Sequence, residues 1–222
     1  MTHDVLVNVE PFETRVALLE HGGLQELHLA RADGASVTGN VYCGRVVRIL
    51  PGMQAAFVDI GLERPGFLHA RDIRGSHWPA VEAARAEGLA SPPIERLLAE
   101  GERVLVQVAK DPIASKGARL TTHLALPSRF LVLMPFSQHV GVSQRIDDEE
   151  ERERLRRLVE GARVQLEVPP GFGYIVRTVA DGAQEAELAE DMAFLSRTWE
   201  RIEACRPASR APALVYEELP VQ

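Results

Sequence analysis

Two phenylalanines and two lysines carry the clearest chemical signal in this sequence. Phe57 sits in QAAFVDIG and Phe67 in RPGFLHA. Lys110 and Lys116 are its only lysines, and they flank a turn-rich loop within AKDPIASKG. Flat rings beside a few flexible cations suit a single-stranded nucleic acid: the rings stack on bases and the cations meet phosphates. The plain alternative is that the rings fill a core and the lysines are solvated. Strand alternation favours the first reading, because Phe57 points outward if Ala56 and Val58 point inward. A second candidate is Arg177-Thr178 at the end of GFGYIVRT. A guanidinium fork and a hydroxyl can grip a terminal phosphate from two sides. On spacing alone, a surface arginine and a strand-end threonine are the favoured explanation of that pair, and Arg145 in GVSQRI shares the ambiguity. The histidines are scattered, with none at ligand spacing from a Cys, Asp or Glu. Asp59, Asp72 and the pair Asp147-Asp148 could hold a metal in principle, but the last two open an acidic helix and complement its dipole. No catalytic constellation, phosphate-cradling glycine loop or nucleophile elbow is evident.

The elements that would position these residues are readable. Strands are expected over Val5–Val9, Arg15–Leu19 and Leu24–Leu29, the last two joined by a turn at His21-Gly22-Gly23. From Gly39 to Leu68, alternating apolar residues and glycines give three short strands. A long insertion, roughly Arg74 to Glu102 by pattern, contains Trp78 and Pro79 and ends in a short helix in IERLLAEG, closed by Gly101. Strand signals return at Val104–Val108 and Leu120–Leu126. A five-stranded barrel with one long helix-bearing connection is the OB-like pattern. A second unit begins near Pro127. FLVLMPF reads as a buried strand and GVSQRI as an extended piece. A helix follows from Asp147, with arginines near its end and Gly161 past it. GFGYIVRT is a strand, and a helix over about 183–204 carries Leu188, Met192, Leu195, Trp199 and Ile202 on one stripe. The expected fold class is α+β: an S1-type, OB-like barrel over 37–126, a small α/β unit over 127–205, and flanking pieces at 1–36 and 206–222.

Composition sets outer limits. A formal net charge of −7 argues against a bulk electrostatic coat for nucleic acid, so any such site is a local basic patch. Cys43 and Cys205 form no CxxC, which argues against a disulfide framework and a zinc site. The start MTHDVLVNVE lacks the basic and apolar regions of a signal peptide, and no apolar run is long enough to span a bilayer. A cytoplasmic protein with no membrane partner is expected.

Seven segments are recognisable together: LLEHGGLQELHLAR, GNVYCGRVVRILPGMQAAFVDIGLERPGFLHARDI, VQVAKDP, KGARLTTHLALPSRFLVLMP, HVGVSQRI, GFGYIVRTVADGAQEAELAED and FLSRTWERI. Long and collinear, they strongly resemble the N-terminal half of the ribonuclease E/G family of bacterial endoribonucleases. The resemblance implies a first piece of a ribonuclease H-like subdomain, an inserted S1-type RNA-binding barrel and a 5′-monophosphate sensor. It implies that Phe57, Phe67, Lys116 and Lys110 hold single-stranded RNA, preferably 5′-monophosphorylated. It implies that Arg177 and Thr178 bind the 5′-phosphate with the backbone near Val132 assisting. The family cleaves single-stranded RNA in rRNA maturation and mRNA decay. It uses magnesium held by aspartates, and oligomerises through zinc cysteines, both in a later domain. No cofactor is therefore expected within this chain, and by itself it is expected to bind RNA without cleaving it. A stand-alone RNA-binding protein and the remnant of a broken gene are the alternative readings. Many relatives carry lysine where this chain has Cys43, which implies one charge fewer on the barrel patch.

Overall fold

The computed structural model describes residues 3–31, 36–73, 92–208 and 210–218. The proposed Trp78-Pro79 part of the insertion lies outside these residues.

The chain opens with a three-stranded antiparallel sheet: β1 (His3–Val9), β2 (Glu13–Glu20) and β3 (Gly23–Arg31). His21 and Gly22 both have positive φ, 50° and 78°, which makes the expected tight hairpin between β2 and β3. Val5, Leu6, Val7, Leu24 and Leu27 of this sheet are exposed.

The barrel follows. Its strands are β4 (Val41–Leu50), β5 (Ala55–Asp59), β6 (Gly66–His69), β7 (Arg103–Lys110) and β8 (Arg119–Thr121). They pair in the order β4-β5-β6-β8-β7, and β7 returns to β4, so the barrel closes. Closure depends on β4 serving two neighbours. Its first half, Val41–Arg45, pairs with β7, and its second half pairs with β5. The register shifts between Val46 and Arg48, a bulge that coils the strand. Gly44 sits where the strands approach closely: a Cβ there would lie 2.5 Å from Val58 Cγ1. Val46, Ala56, Val58, Leu68, Val106, Val108 and Leu120 fill the interior. The short helix α1 (Ile94–Leu97) plugs one end with Ile94 and Leu97.

The single strand expected over Leu120–Leu126 is two strands. β8 stops at Thr121, Thr122 N–H turns to Asp72 O (2.8 Å), and β9 (Leu126–Pro127) joins another sheet. The buried Gln107 amide manages the break. It donates to Ala125 O (2.9 Å) and Gly39 O (2.8 Å), and accepts from Ala125 N–H (2.8 Å). That side chain thereby does the work of a missing strand neighbour.

The second sheet runs β11-β12-β10-β9, with β10 (Leu131–Pro135), β11 (Val140–Val142) and β12 (Phe172–Val176). Helices α2 (Glu149–Gln165) and α3 (Glu185–Ala208) pack against it. The expected stripe on α3 is the buried face: Leu188, Met192, Leu195, Trp199 and Ile202 all join the core. α2 runs through Gly161 rather than stopping before it, because the next residue, Ala162, is buried in that core. Asp148 caps its start, accepting Glu150 N–H at 2.9 Å. β12 ends at Val176, one residue short of Arg177, and Thr178–Ala180 form a 3-10 turn. A last strand, β13 (Ala213–Tyr216), pairs with the start of β4.

Candidate nucleic-acid interface

The barrel register builds one continuous row of side chains. Arg48 of β4 lies opposite Phe57 of β5, Phe57 opposite Phe67 of β6, and Phe67 opposite Arg119 of β8. Arg119 in turn lies opposite Lys110 of β7, after a bulge at Ala109. The row crosses all five strands and places two rings between cations on either side. Both phenylalanines are half-buried, while Ala56, Val58 and Leu68 beside them are fully buried, so the rings stand on the outer face. Their centroids are 6.2 Å apart at an interplanar angle of 69°, an edge-to-face pair. His69 extends this surface, 6.5 Å from Phe67. Arg119 is braced by Asp72 at 3.0 Å, and Arg48 and Lys110 are exposed.

Lys116 stands at the rim. Ile113 and Lys116 bond each other's backbones across a tight turn in which Ala114 has φ +49°. The turn is pinned against the loop before β6. A Cβ on Gly117 would sit 1.9 Å from Pro65 O, so only glycine fits. Phe67 N–H then bonds Ala118 O at 2.7 Å, and Arg64 donates to Ser115 O. Lys116 and Arg64 line a cavity of about 390 Å³ with Leu62 and Asp111. Burial pushes the Asp111 carboxyl up, but hydrogen bonds from Ser36, Val37 and Thr38 outweigh it and hold the group below its ordinary value. Cys43 is buried, so its side chain is not part of this exposed patch.

The second cluster lies on the other sheet. Val132 is in mid-strand, opposite Ile175 on one side and Pro127 on the other. Arg177 and Thr178 follow β12 and are exposed. The Arg177 guanidinium docks on the carbonyls of Ser128 and Arg129, and its backbone N–H bonds Phe130 O at 2.8 Å. Thr178 Oγ1 is 2.9 Å from Ser143 Oγ. Ser128, Arg129, Arg177, Asp191 and Phe194 line a cavity of about 470 Å³. The loop after Thr178 is clamped to α2. Glu151 accepts Gly182 N–H (3.0 Å) and Arg154 donates to Ala183 O (2.9 Å). Its hydrogen bond from Arg154, joined by that from Gly182, lowers the Glu151 carboxyl to about 2.

Phe57, Phe67 and Lys110 thus share one row, Lys116 borders it, and Arg177, Thr178 and Val132 share one region of the second unit. Sequence reading missed Arg48, Arg119, Ser143 and Asp191. The bulge in β4 hides Arg48 and the non-local pairing of β6 with β8 hides Arg119, while nothing local marks Asp191. Among the described residues no group of three or more His, Cys, Asp or Glu side chains is placed to hold a metal ion, and no helix is long and apolar enough to cross a membrane.

The closed five-stranded barrel, followed by an α+β unit, is the S1-type class of OB-like fold. Sequence comparison supplies the family. A profile of the ribonuclease E/G family matches residues 125–222. Ribonuclease G of Escherichia coli is 48% identical over 219 residues, covering 99% of this chain and 44% of that protein. Ribonuclease G of Haemophilus influenzae is 50% identical over 199 residues, 90% of this chain and 39% of that protein. Ribonuclease E of a Nostoc species is 41% identical over 203 residues, 91% of this chain and 27% of that protein. The chain belongs to the ribonuclease E/G family and spans less than half the length of these relatives.

Proposed function

We propose that this chain is the RNA-binding and 5′-end-sensing portion of a ribonuclease G-like endoribonuclease acting on single-stranded RNA. The barrel over 37–126 holds the strand, and the unit over 127–205 reads its 5′ end. The observation that carries this reading is the cross-strand row Arg48–Phe57–Phe67–Arg119–Lys110. A single strand laid along it meets two rings for its bases and cations at both sides for its phosphates. The net charge of −7 makes a local row the only economical way to attract a polyanion. In the second unit, Arg177 has five N–H donors and spends only Nη1 on backbone carbonyls. Its remaining edge and the Thr178 hydroxyl suit a terminal phosphate, which a 5′-hydroxyl end lacks. Cleavage, with the family's magnesium and zinc chemistry, we assign to the full-length enzyme in the cytoplasm, in rRNA maturation and mRNA decay.

The test is a paired titration of two unstructured RNAs that differ only in a 5′-monophosphate or a 5′-hydroxyl. The phosphorylated RNA should bind several-fold to about a hundredfold more tightly. Arg177→Lys keeps the charge but loses the fork, so most of that preference should vanish. Equal binding of both RNAs by the unaltered chain would remove the sensor assignment.

A further inference from the structure

Asp191 of α3 uses one carboxylate oxygen three times. Its Oδ2 accepts the Ser128 hydroxyl at 2.6 Å, Phe130 N–H at 2.9 Å and Leu131 N–H at 2.9 Å. Ser128 and Phe130 lie in the turn between β9 and β10, and Leu131 opens β10. That turn is tightened further by Ser128 N–H, which bonds Leu131 O at 2.8 Å. With its N–H groups drawn inward to Asp191, the turn presents the Ser128 and Arg129 carbonyls to the Arg177 guanidinium. The Phe130 carbonyl takes the Arg177 N–H. Side chain and backbone of Arg177 are therefore both seated on a segment whose shape one carboxylate fixes.

We infer that Asp191 is a positioning residue for the Arg177 phosphate grip, acting through the 128–131 turn and not by touching RNA. The inference rests on the reading of Arg177 and Thr178 as the 5′-phosphate site. Its physical basis is the strength of hydrogen bonds to an ionised acceptor and the cost of leaving their donors unmade. Removing the carboxylate frees three donors at once, and the turn relaxes toward water. The Arg177 seat then loses its fixed carbonyls, and the guanidinium samples many orientations instead of one. The nearest rival is a purely architectural role, in which Asp191 only fastens α3 to the sheet.

The two roles separate in one experiment: titration of the 5′-monophosphate and 5′-hydroxyl RNAs against the unaltered chain, Asp191→Ala, Asp191→Asn and Ser128→Ala, with thermal melting of each. A positioning role predicts that Asp191→Ala binds 5′-hydroxyl RNA unchanged, because the barrel row is intact. Its preference for the 5′-phosphate should fall about tenfold. Asp191→Asn keeps an acceptor of the same shape without the charge and should retain an intermediate preference. Ser128→Ala removes one donor and should cost about twofold to threefold. Should Asp191→Ala fail to fold, Asp191→Asn decides: a reduced preference supports the inference and an unreduced one overturns it. A folded Asp191→Ala that keeps the full preference, or that weakens both RNAs by the same factor, overturns the positioning role while leaving the sensor reading intact. No preference in the unaltered chain would mean that the sensor reading itself fails and the inference falls with it.

Discussion

At the scale of single residues, the structure shows which face of the barrel the two rings occupy. Phe57 and Phe67 alternate with fully buried neighbours, so their rings are on the outside of a barrel whose interior is already filled by Val58, Leu68 and Leu120. That outcome was legible, because β-strand alternation has a period of two and the small residues flanking Phe57 had to go somewhere. Arg48 was not legible, because its link to Phe57 runs through a bulge and a turn, where the register shifts by a residue. Its place at the head of the row gives a direct expectation. Arg48→Ala should weaken RNA binding by about threefold to tenfold without lowering the melting temperature, since the side chain is exposed. Titration and melting of the same preparation check both halves. The fate of Cys43 shows the converse limit: a position read as part of the barrel's surface patch is buried here.

At the scale of elements, what failed in the sequence reading failed for identifiable reasons. Gly161 looked like a helix stop, but the burial of Ala162 carries α2 onward to Gln165. The run Leu120–Leu126 looked like one strand, but the Gln107 amide and the Asp72 carbonyl redirect it between two sheets. Long-range partners of this kind leave no local signature. Gly117 is the element-level device most open to test. Gly117→Ala would push a methyl into the Pro65 carbonyl, where a Cβ has only 1.9 Å. It should destabilise the chain by about 1–3 kcal/mol, and chemical denaturation measures this. A melting curve unchanged by that substitution would show the loops to be free to part. The clamp between α2 and the loop after Thr178 gives a pH dependence. The Glu151 carboxyl lies at about 2 in the folded chain against an ordinary 4.5. A carboxyl lowered on folding stabilises the fold above its unfolded value, and that contribution is lost as pH falls from 4.5 toward 2. Glu151→Gln should therefore flatten the stability profile over that window and leave the slope near neutrality unchanged. Denaturation at a series of acidic pH values checks it, and a profile of unaltered slope would contradict it.

At the scale of the whole molecule, the division into a closed barrel and an α+β unit was visible from the glycine-punctuated strands and the apolar stripe of α3. The stitch between them was not, because Gln107 is a single buried amide in an ordinary strand. An acidic chain whose described residues carry a single such row should bind RNA differently from a protein coated in lysine. Few phosphates are neutralised, so affinity falls only gently with salt, with a log–log slope of roughly −2 to −4. Stacking, in contrast, is nearly independent of salt and contributes about 1–3 kcal/mol per base. These two contributions are separable on one instrument. The decisive measurement is titration of a short unstructured RNA at several salt concentrations with the unaltered chain and with a Phe57→Ala, Phe67→Ala double variant. The double variant should bind at least about tenfold more weakly at every salt concentration, with the same shallow slope and a melting temperature close to that of the unaltered chain. Equal affinities, or a loss of affinity that only follows a loss of folding, would place the rings in the core's service and contradict the RNA-binding row.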